Sequence, residues 1–367
     1  MAGPRLASLD AFRGLTIAGM ILVNDPGSWE YVYPPLRHAE WHGWTPTDLV
    51  FPFFVFIVGV SLSLALSRRR EEGGGPGGLY LKIFKRSVLI FALGMLLRLV
   101  PHFDFASVRI PGVLQRIALC YFFAALVFLH TGAKTRLGVA IALLAGYWAV
   151  LKFVPVPGYG AGTLEYNGNL VGYIDQRLLA GHLYEPAFDP EGILSTFPAI
   201  ATTLLGTLTG DWLRTRKRAW EKTVGLLVAG AGLTALGLAL HPYFPINKKL
   251  WTSTFVIFTA GAALLLLALL YFLIDERGWK KWAIPFFVFG TNAITAYAGS
   301  ALIVKLLAPI KVSSDGRPVA LGVWIYQHLF VPWAGNLNGS LAYAICYVLL
   351  WLGLMTPLYR KRIFIKI

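Results

Sequence analysis

The feature that most constrains this chain is a series of apolar stretches, each about 20 residues long, joined by short polar segments. A helix needs roughly 20 apolar residues to cross the hydrocarbon core of a bilayer. In that core only helices and closed barrels satisfy their own backbone hydrogen bonds. We therefore predict an all-α, polytopic membrane helix bundle with about ten transmembrane helices, as a single domain over residues 1–367. The stretches lie near residues 6–25, 46–67, 83–101, 110–130, 136–154, 192–213, 221–240, 250–274, 282–307 and 337–359.

The composition agrees with a membrane protein. Only 14% of the 367 residues are charged, and the mean hydropathy is +0.62. Soluble domains carry about 25% charged residues. The low charge content excludes a disordered chain and a nucleic-acid-binding module, although the net charge is +15. We expect the lipid bilayer, and no nucleic acid, as a partner.

The positions of the basic residues predict the orientation of the bundle. With the N-terminus inside, every second connection is basic, and these segments hold 21 of the 33 lysine and arginine residues. Cytoplasmic segments carry such an excess, so we predict that both termini are cytoplasmic. Asp10 and Arg13 interrupt the first stretch and no cleavage pattern follows, so we expect this span to be retained. The basic segments are 1–5, 68–86, 131–136, 214–222, 275–281 and 360–367.

Three connecting segments have a distinct character. Residues 68–82 contain a glycine-rich run and predict a flexible cytoplasmic linker. Residues 155–191 are rich in Gly, Pro, Tyr and acidic side chains, and predict a long extracytoplasmic loop that acts as a lid or binds substrate. We interpret residues 318–333 as an interfacial or re-entrant helix.

The two cysteines, Cys120 and Cys346, both lie in apolar runs. They provide neither a disulfide framework nor the spacing of a metal site. His38 and His42 are four residues apart, but no third ligand follows at a readable spacing. We therefore expect no metal cofactor.

Polar residues converge at the predicted outer edge of the first two spans. Asn24 ends the first span, and Asp48 lies in the first turn of the second, which Thr45-Pro46 opens. His38 lies in the loop between them. A carboxylate partner fixes the tautomer of a histidine and raises its basicity, as a general base or an acyl-accepting nucleophile requires. The alternative is that His38 and Asp48 only cap and brace the loop.

A second group of polar residues lies at the same predicted edge. Its polar side chains at the start of the fourth span could pair with Asp48, Asp189 or Glu191, or they could orient a substrate and stabilise an oxyanion. Tryptophan and tyrosine faces suit sugar rings, and carboxylates and amides suit hydroxyl groups, so we expect a carbohydrate substrate. The predicted substrate-binding residues are Arg109, Gln115, Arg116, Asp189, Glu191, Asn247, Trp251 and Asn292.

At the opposite edge, Asp10 and Arg13 are three residues apart on one helix face. They predict an internal ion pair. Alternatively, Arg13 contacts an anion or a phosphate group near the cytoplasmic side.

Together these residues resemble the heparan-alpha-glucosaminide N-acetyltransferase family, in the pattern of its bacterial members. The resemblance runs in order from residue 5 to about residue 300. The strings that carry it include Arg5-Leu-Ala-Ser-Leu-Asp-Ala-Phe-Arg-Gly14, Val23-Asn24, His38-Ala-Glu-Trp41, Asp48-Leu-Val-Phe-Pro52, Ile110-Pro-Gly-Val-Leu-Gln-Arg116, Gly172-Tyr-Ile-Asp175, Asp189-Pro-Glu-Gly-Ile-Leu194 and Asn247-Lys-Lys-Leu-Trp251.

The resemblance implies a transmembrane acyltransferase of the inner membrane. It would take acetyl from cytosolic acetyl-CoA and deliver it to the amino group of a glucosamine-type sugar on the opposite face. The family's active-site histidine matches His38, and its neighbouring Asn and Asp match Asn24 and Asp48. Whether the histidine is acetylated or acts as a base stays open. The resemblance also makes a homodimer one arrangement to test.

Coenzyme A would then run through the bundle with its phosphates near basic groups at the inner edge. Arg13, Lys85 and Arg86 are the candidate contacts. Two alternatives to this activity are an O-acyltransferase of envelope polysaccharide and an amino-sugar transporter. A transporter would place its site near the midplane on broken helices, whereas the polar groups here cluster at one edge.

Overall fold

The computed structural model describes residues 6–71, 76–314 and 317–365, and these form an all-α bundle. The helices of the first half are α1 (Ala7–Asn24), α2 (Pro46–Glu71), α3 (Pro76–Leu99), α4 (Val113–His130), α5 (Ala133–Phe153) and α6 (Leu170–Leu178). Those of the second half are α7 (Thr196–Arg214), α8 (Ala219–Leu240), α9 (Ser253–Leu270), α10 (Ile284–Thr291), α11 (Ala293–Leu307), α12 (Leu321–Ile325) and α13 (Val331–Arg360).

Short irregular elements complete the chain. A 3₁₀ turn covers Pro34–Leu36 and another covers Lys281–Ala283, while π-helical turns cover Tyr271–Glu276 and Tyr326–Phe330. Two small antiparallel hairpins pair β1 (Pro155–Val156) with β2 (Gly160–Ala161), and β3 (Lys311–Ser314) with β4 (Arg317–Ala320).

Each predicted span coincides with a helix, and the stretch 282–307 coincides with the pair α10 and α11, which meet at a bend of 71°. Within the described residues, six helical segments are long and apolar enough to cross a membrane, and the bent pair would make a seventh. The all-α membrane class is thus supported, whereas the number of about ten remains a prediction. The remaining spans fall on α1, α3 and α7, which carry charged residues such as Asp10, Arg86 and Asp211.

The structure refines the three connecting segments. Helix α2 continues to Glu71 and α3 begins at Pro76, so both helices extend into the predicted linker 68–82, whose residues 72–75 lie outside the described residues. The long loop 155–191 contains a hairpin and helix α6. Segment 318–333 begins in the hairpin strand β4, continues through α12 and a π-helical turn, and runs directly into α13.

Glycine pairs let two sets of helices approach closely. A Cβ atom on Gly14 would lie 1.7 Å from the carbonyl oxygen of Phe286, and one on Gly290 would lie 1.9 Å from that of Asp10. Helices α2 and α7 are related in the same way through Gly59 and Gly206. Small residues commonly bring membrane helices together. These contacts hold α1 against α10 and α2 against α7, around the core of the bundle.

Because successive helices run in opposite directions, several termini meet at one end of the bundle, here called the cavity end. The end of α1, the start of α2, the end of α3 and the starts of α4, α7 and α9 lie there. The other end, here called the closed end, holds the start of α1, where the Asp275 carboxylate accepts hydrogen bonds from the backbone N–H groups of Ala7 (3.1 Å) and Ser8 (3.0 Å).

Candidate active site

A cavity of about 720 Å³ opens at the cavity end. Its volume lies within the range of small-molecule sites, and it is large enough for more than one sugar ring. Its walls combine charged groups with aromatic rings. The lining includes Asn24, Trp29, His38, Trp41, Asp48, Phe51, Arg98, Arg109, Tyr184, Glu185, Phe188, Glu191, Lys248, Lys249, Trp251 and Tyr297.

The Asp48 carboxylate organises one wall of this cavity. It is 1% exposed, and its Oδ2 accepts hydrogen bonds from the backbone N–H groups of Ala39 and Thr45, both at 3.0 Å. Its Oδ1 lies 2.7 Å from Nδ1 of His38. The same carboxylate therefore satisfies a backbone donor at the start of α2 and fixes the histidine ring. Because Nδ1 is held by Asp48, Nε2 is the ring nitrogen available for chemistry.

Lys248 is the third member of this group and lies outside the set of residues predicted from the sequence. Its Nζ lies 2.9 Å from Nδ1 of His38 and 3.3 Å from Oδ1 of Asp48. Burial lowers the pKa of Lys248 from its ordinary value, while the nearby carboxylates of Asp48 and Glu191 act in the opposite direction. The contiguous string Asn247-Lys248-Lys249 was the available signal, but sequence alone does not say which lysine faces inward.

Asn247 fixes the backbone of the loop that positions Lys248. It is fully buried, and its Oδ1 accepts a hydrogen bond from the backbone N–H of Leu250 at 2.8 Å. Its own N–H donates to Oγ1 of Thr252, and its Nδ2 lies 3.3 Å from Nδ1 of His42. The prediction made Asn247 a substrate contact. The structure instead places it behind the wall, where it shapes the loop that presents Lys248.

Trp251 lies at the cavity wall, as predicted, with 1% of its surface exposed. It packs edge-on against Phe51 and Phe255, with ring centroids 5.2 and 5.3 Å apart. The guanidinium of Arg116 lies over the Trp251 ring, 5.0 Å from the ring centre.

The opposite wall is built on an ion-pair cluster. Arg109 donates two parallel hydrogen bonds to Asp189, from Nε at 2.7 Å and from Nη2 at 2.6 Å, and it also pairs with Glu191. Asp189 is fully buried, whereas Arg109 and Glu191 line the cavity. The sequence analysis left open whether these residues pair or bind substrate, and the structure shows that they pair at the cavity wall.

Asp175 supports the backbone that carries this ion-pair cluster. Its carboxylate accepts hydrogen bonds from the backbone N–H groups of Ile193 (3.0 Å) and Asp189 (3.2 Å), and burial raises its pKa to about 6. A Cβ atom on Gly192 would lie 2.0 Å from Oδ2 of Asp175, so only glycine fits there. This contact fixes the turn that carries Asp189 and Glu191.

The remaining predicted substrate contacts lie away from the cavity. Arg116 is completely buried and donates to the carbonyl of Gly192 (3.2 Å) and to Ser195, so it anchors the start of α7. Gln115 is 3% exposed and donates to the sulfur of Met95 at 3.4 Å. The structure places both residues outside the cavity lining, because helix α4 turns them inward, and their contact with a substrate stays a prediction.

Asn292 lies at the break between α10 and α11 and is 2% exposed. Its amide bonds to the backbone of the C-terminal segment, to the carbonyl of Ile363 and the N–H of Ile365. It does not line the cavity, so the predicted substrate contact is replaced by a contact within the chain.

The basic residues predicted to contact coenzyme A occupy different surroundings. Arg13 forms an ion pair with Asp10 at 3.1 Å and donates to Oγ of Ser61 at 2.7 Å, which confirms the predicted internal pair. Lys85 and Arg86 lie exposed on α3, and the guanidinium of Arg86 lies 5.0 Å from the centre of the Tyr121 ring.

The long loop closes over the cavity through aromatic contacts. Trp41 donates a hydrogen bond to the carbonyl of Leu164 at 2.8 Å, and its ring packs edge-on against Tyr166 and Phe188. Tyr184 from the same loop faces the guanidinium of Arg109 at 4.6 Å. The loop predicted as a lid thus contributes directly to the cavity lining.

Arg98 is a second residue that the sequence did not single out. It lies in the last turn of α3 and lines the cavity with Tyr297. Across the described residues it forms no hydrogen bond or ion pair with the protein, so its charge is open to a ligand. In the sequence it looks like an ordinary cation at the edge of a span.

Across residues 6–71, 76–314 and 317–365, no cluster of three or more His, Cys, Asp or Glu side chains is arranged to hold a metal ion.

A histidine held by a carboxylate and set in an aromatic cavity between membrane helices is typical of a group-transfer enzyme. A family model described as "Heparan-alpha-glucosaminide N-acetyltransferase, catalytic" matches residues 5–239. The chain belongs to this family. The matched range includes His38, Asp48 and Arg109 but ends before Lys248.

Two curated relatives carry the name heparan-alpha-glucosaminide N-acetyltransferase. The human protein is 35% identical over 260 residues, which is 57% of this chain and 39% of the relative. The mouse protein is 32% identical over 283 residues, 61% of this chain and 42% of the relative. The chain thus spans about two fifths of the length of these relatives.

Proposed function

We propose that this protein is a membrane N-acetyltransferase that moves an acetyl group from acetyl-CoA to the amino group of a glucosamine-type sugar. The observation that carries the proposal is the His38–Asp48–Lys248 group in the wall of a sugar-sized cavity. The family of the chain and the names of its relatives support this choice of reaction.

The chemistry requires a neutral amine, since a protonated amine has no lone pair for attack. Nε2 of His38 would take a proton from the amine while the amine nitrogen attacks the thioester carbonyl. The carbon–sulfur bond then breaks, and the thiolate leaves with one proton as coenzyme A, so that one proton is released per ammonium acetylated. In the alternative order, Nε2 itself attacks the thioester and the carbon–sulfur bond breaks, so coenzyme A leaves as the thiolate. The neutral amine then attacks the acetyl carbon, the bond between Nε2 and the acetyl group breaks, and the proton lost by the amine passes to the thiolate through Nε2.

Asp48 would accept the proton of Nδ1, and Lys248 would act through its contact with the Asp48 carboxylate. Asp48 holds Nδ1 and orients the ring. Lys248 places a third polar group beside both partners and ties the loop before α9 to the loop before α2. Asn24, which lies exposed in the cavity, offers an amide N–H to the thioester carbonyl as negative charge develops on its oxygen.

The aromatic lining and the cavity's charges suit a sugar. Trp29, Trp41 and Tyr184 offer ring faces, and Glu185 and Glu191 offer acceptors for hydroxyl groups. Arg98 supplies a cation that is not engaged by the described part of the protein.

We further propose the orientation given by the basic segments. In it both termini are cytoplasmic, about ten spans cross the inner membrane of a bacterium, and the cavity faces outward. The thioester end of the donor then reaches the cavity through the bundle, while the phosphates of coenzyme A stay near the cytoplasmic edge. A homodimer is an arrangement that cross-linking in membranes would test.

The testing experiment is acetyl transfer by purified protein in nanodiscs, with labelled acetyl-CoA and glucosamine. We expect N-acetylglucosamine from the wild type and none from His38→Ala, with coenzyme A binding retained. Binding without transfer to any amine would make a hydroxyl acceptor, and so an O-acyltransferase, the better assignment. No binding of acetyl-CoA would overturn the proposal, and an amino-sugar transport assay would follow.

A further inference from the structure

Arg98 is a half-buried cation in the wall of the same cavity that holds His38. Within residues 6–71, 76–314 and 317–365, no carboxylate lies within ion-pair distance of its guanidinium, and the guanidinium forms no hydrogen bond. A charge removed from water between membrane helices is costly and normally has a partner or a function. An unpaired arginine beside space for a ligand therefore indicates that the ligand brings the anion.

The position of Arg98 in the last turn of α3 offers it another task, but a different residue performs that task. Basic side chains near a helix end often bind the carbonyl groups that the helix leaves unpaired. Here Nζ of Lys305, in the last turn of α11, donates to the carbonyl of Leu97 and, at 3.4 Å, to that of Val100. Arg98 is thus not needed as a helix cap, and its side chain lines the cavity.

Neighbouring elements also position the Arg98 side chain. A Cβ atom on Gly112 would lie 3.6 Å from Nε of Arg98, so the arginine stem packs beside the backbone that opens α4. Tyr297 of α11 lines the cavity as well, and its hydroxyl forms no hydrogen bond within the part of the chain that the structure describes. Two hydrogen-bond donors from α3 and α11 are therefore available in one wall.

The two cations of the lining that belong to the groups described above already have anions. Nζ of Lys248 lies 3.3 Å from Oδ1 of Asp48, and Arg109 pairs with two carboxylates. Arg98 differs from both, because no carboxylate of the described residues is paired with it. A bound anion would therefore gain most at Arg98, where it displaces no existing partner.

We propose that Arg98 binds an acidic group of the acceptor, so that the protein prefers amino sugars carrying a carboxylate or a phosphate over neutral amino sugars. The planar guanidinium offers two parallel N–H donors to either group, and the Tyr297 hydroxyl offers one more. The inference rests on the proposed function, because it names the class of acceptor. In the proposed orientation the phosphates of coenzyme A stay near the cytoplasmic edge and leave this cation free.

The test compares three acceptors with the wild type in nanodiscs. Glucosamine has no acidic group, muramic acid adds a carboxylate, and glucosamine 6-phosphate adds a phosphate. We expect kcat/KM to be at least about tenfold higher for an acidic acceptor than for glucosamine, the value of one charge-assisted contact. A preference for muramic acid assigns a carboxylate to the subsite, and a preference for glucosamine 6-phosphate assigns a phosphate.

Variants then assign the preference to Arg98. Arg98→Gln should remove most of the preference through KM, and Arg98→Lys should keep part of it, because lysine retains the charge but not the two parallel donors. Lys249→Gln is the matched control, since it removes another cation from the same lining. It should change kcat/KM for acidic and neutral acceptors by similar factors. An equal loss of preference in Lys249→Gln would show a general effect of cavity charge and overturn the subsite.

Equilibrium binding without donor gives a readout that does not need turnover. In Arg98→Gln, calorimetry should show the Kd of the preferred acidic sugar rising about ten- to hundredfold, with that of glucosamine changing less than about twofold. If Arg98 only offsets the carboxylates around Arg109, both Kd values should change equally, which would overturn the inference.

The remaining outcomes separate this inference from the proposed function. Equal kcat/KM for acidic and neutral amines in an active wild type would overturn the subsite and leave the acetyltransferase intact. A weaker Kd for coenzyme A in Arg98→Gln, with the acceptor preference unchanged, would assign the cation to the donor and also overturn it. Absence of transfer to any amine would overturn the proposed function, and the binding measurement would still decide whether Arg98 holds an acidic sugar.

Discussion

The two ends of this bundle both bury charged side chains, but they use them differently. At the closed end, Arg136 of α5 is 5% exposed and pairs with Asp211 of α7, which also accepts a hydrogen bond from Ser63 of α2 at 2.6 Å. At the cavity end, Arg109 pairs with Asp189 and Glu191 in the same manner. Only the second group faces the cavity described above.

The comparison shows that a buried ion pair between membrane helices does not by itself mark a site. A charge in a membrane helix is expensive and must be paired wherever it lies. At the closed end the pairing ties three helices together. At the cavity end, the ion-paired side chains also lie beside space that a ligand can occupy. Function should therefore respond to changes at the cavity end, and stability to changes at both.

The largest effect should come from His38→Ala. We expect turnover to fall about 1,000-fold, since general acid–base groups contribute about 10²–10⁴. Rates of acetyl transfer at saturating donor and acceptor measure this. His102→Ala is the matched control, because His102 lies exposed in the loop after α3. An equal loss in both variants would contradict the role of His38.

Lys248→Met should reduce turnover about 10- to 100-fold, the value of one charge-assisted hydrogen bond to a group in the site. Lys249→Met is the neighbouring control, because Lys249 lies 5.8 Å from the centre of the Trp41 ring and not at His38. We expect it to alter the KM for the acceptor more than turnover. A larger loss of turnover in Lys249→Met would show that the wrong lysine has been assigned.

Arg109→Lys and Arg136→Lys test the comparison of the two ends directly. Lysine cannot reproduce the two parallel bonds from Arg109 to Asp189, nor the packing of the Arg136 guanidinium over Phe128, 4.3 Å from the ring centre. Both variants should therefore melt at lower temperature. Arg109→Lys should also lower kcat/KM about tenfold, because its partner Glu191 forms part of the cavity wall. Turnover per folded molecule should stay unchanged in Arg136→Lys. If the two variants lose activity equally, the distinction between the ends fails.

Asp175 should affect turnover least, and its effect should be visible as a dependence of stability on pH. Its pKa is about 6 in the folded protein and 3.8 without the fold, so the fold favours the neutral acid. Wild-type stability relative to Asp175→Asn should fall by roughly 3 kcal/mol in total as pH rises from about 3 to about 7, with about 2 kcal/mol of this between pH 4 and 6. Thermal melts of both proteins in detergent across this range measure the difference. A difference that does not vary with pH would contradict the raised pKa.

The positions of the helices could be predicted because apolar length is a local property of the sequence. Each predicted span falls on a helix or on the bent pair α10 and α11. The juxtaposition of His38 and Asp48 was also within reach, since both lie within a few residues of the turn that opens α2. Their catalytic role remains a prediction, as does the role of Asn24.

The contacts that escaped prediction depend on distant segments and on helix rotation. Lys248 lies 210 residues from His38, and nothing local distinguishes it from Lys249. Gln115 and Arg116 lie near the cavity wall along α4, but their side chains face the core. The spacing from Arg109 does not determine how helix α4 is rotated about its axis. Asn292 is predicted as a substrate contact, yet its partners are the backbone groups of Ile363 and Ile365, which no sequence pattern reveals.

The distribution of the site along the chain has a consequence for biogenesis. His38 and Asp48 emerge early during synthesis, whereas Lys248 follows α8 and reaches the group only after most helices have been inserted. Until then Asp48 has its backbone donors and His38, but it lacks its cationic partner at the membrane edge. A nascent chain that stalls before α9 would therefore carry an incomplete site, and co-expressed halves that meet between α8 and α9 would regain it only by association.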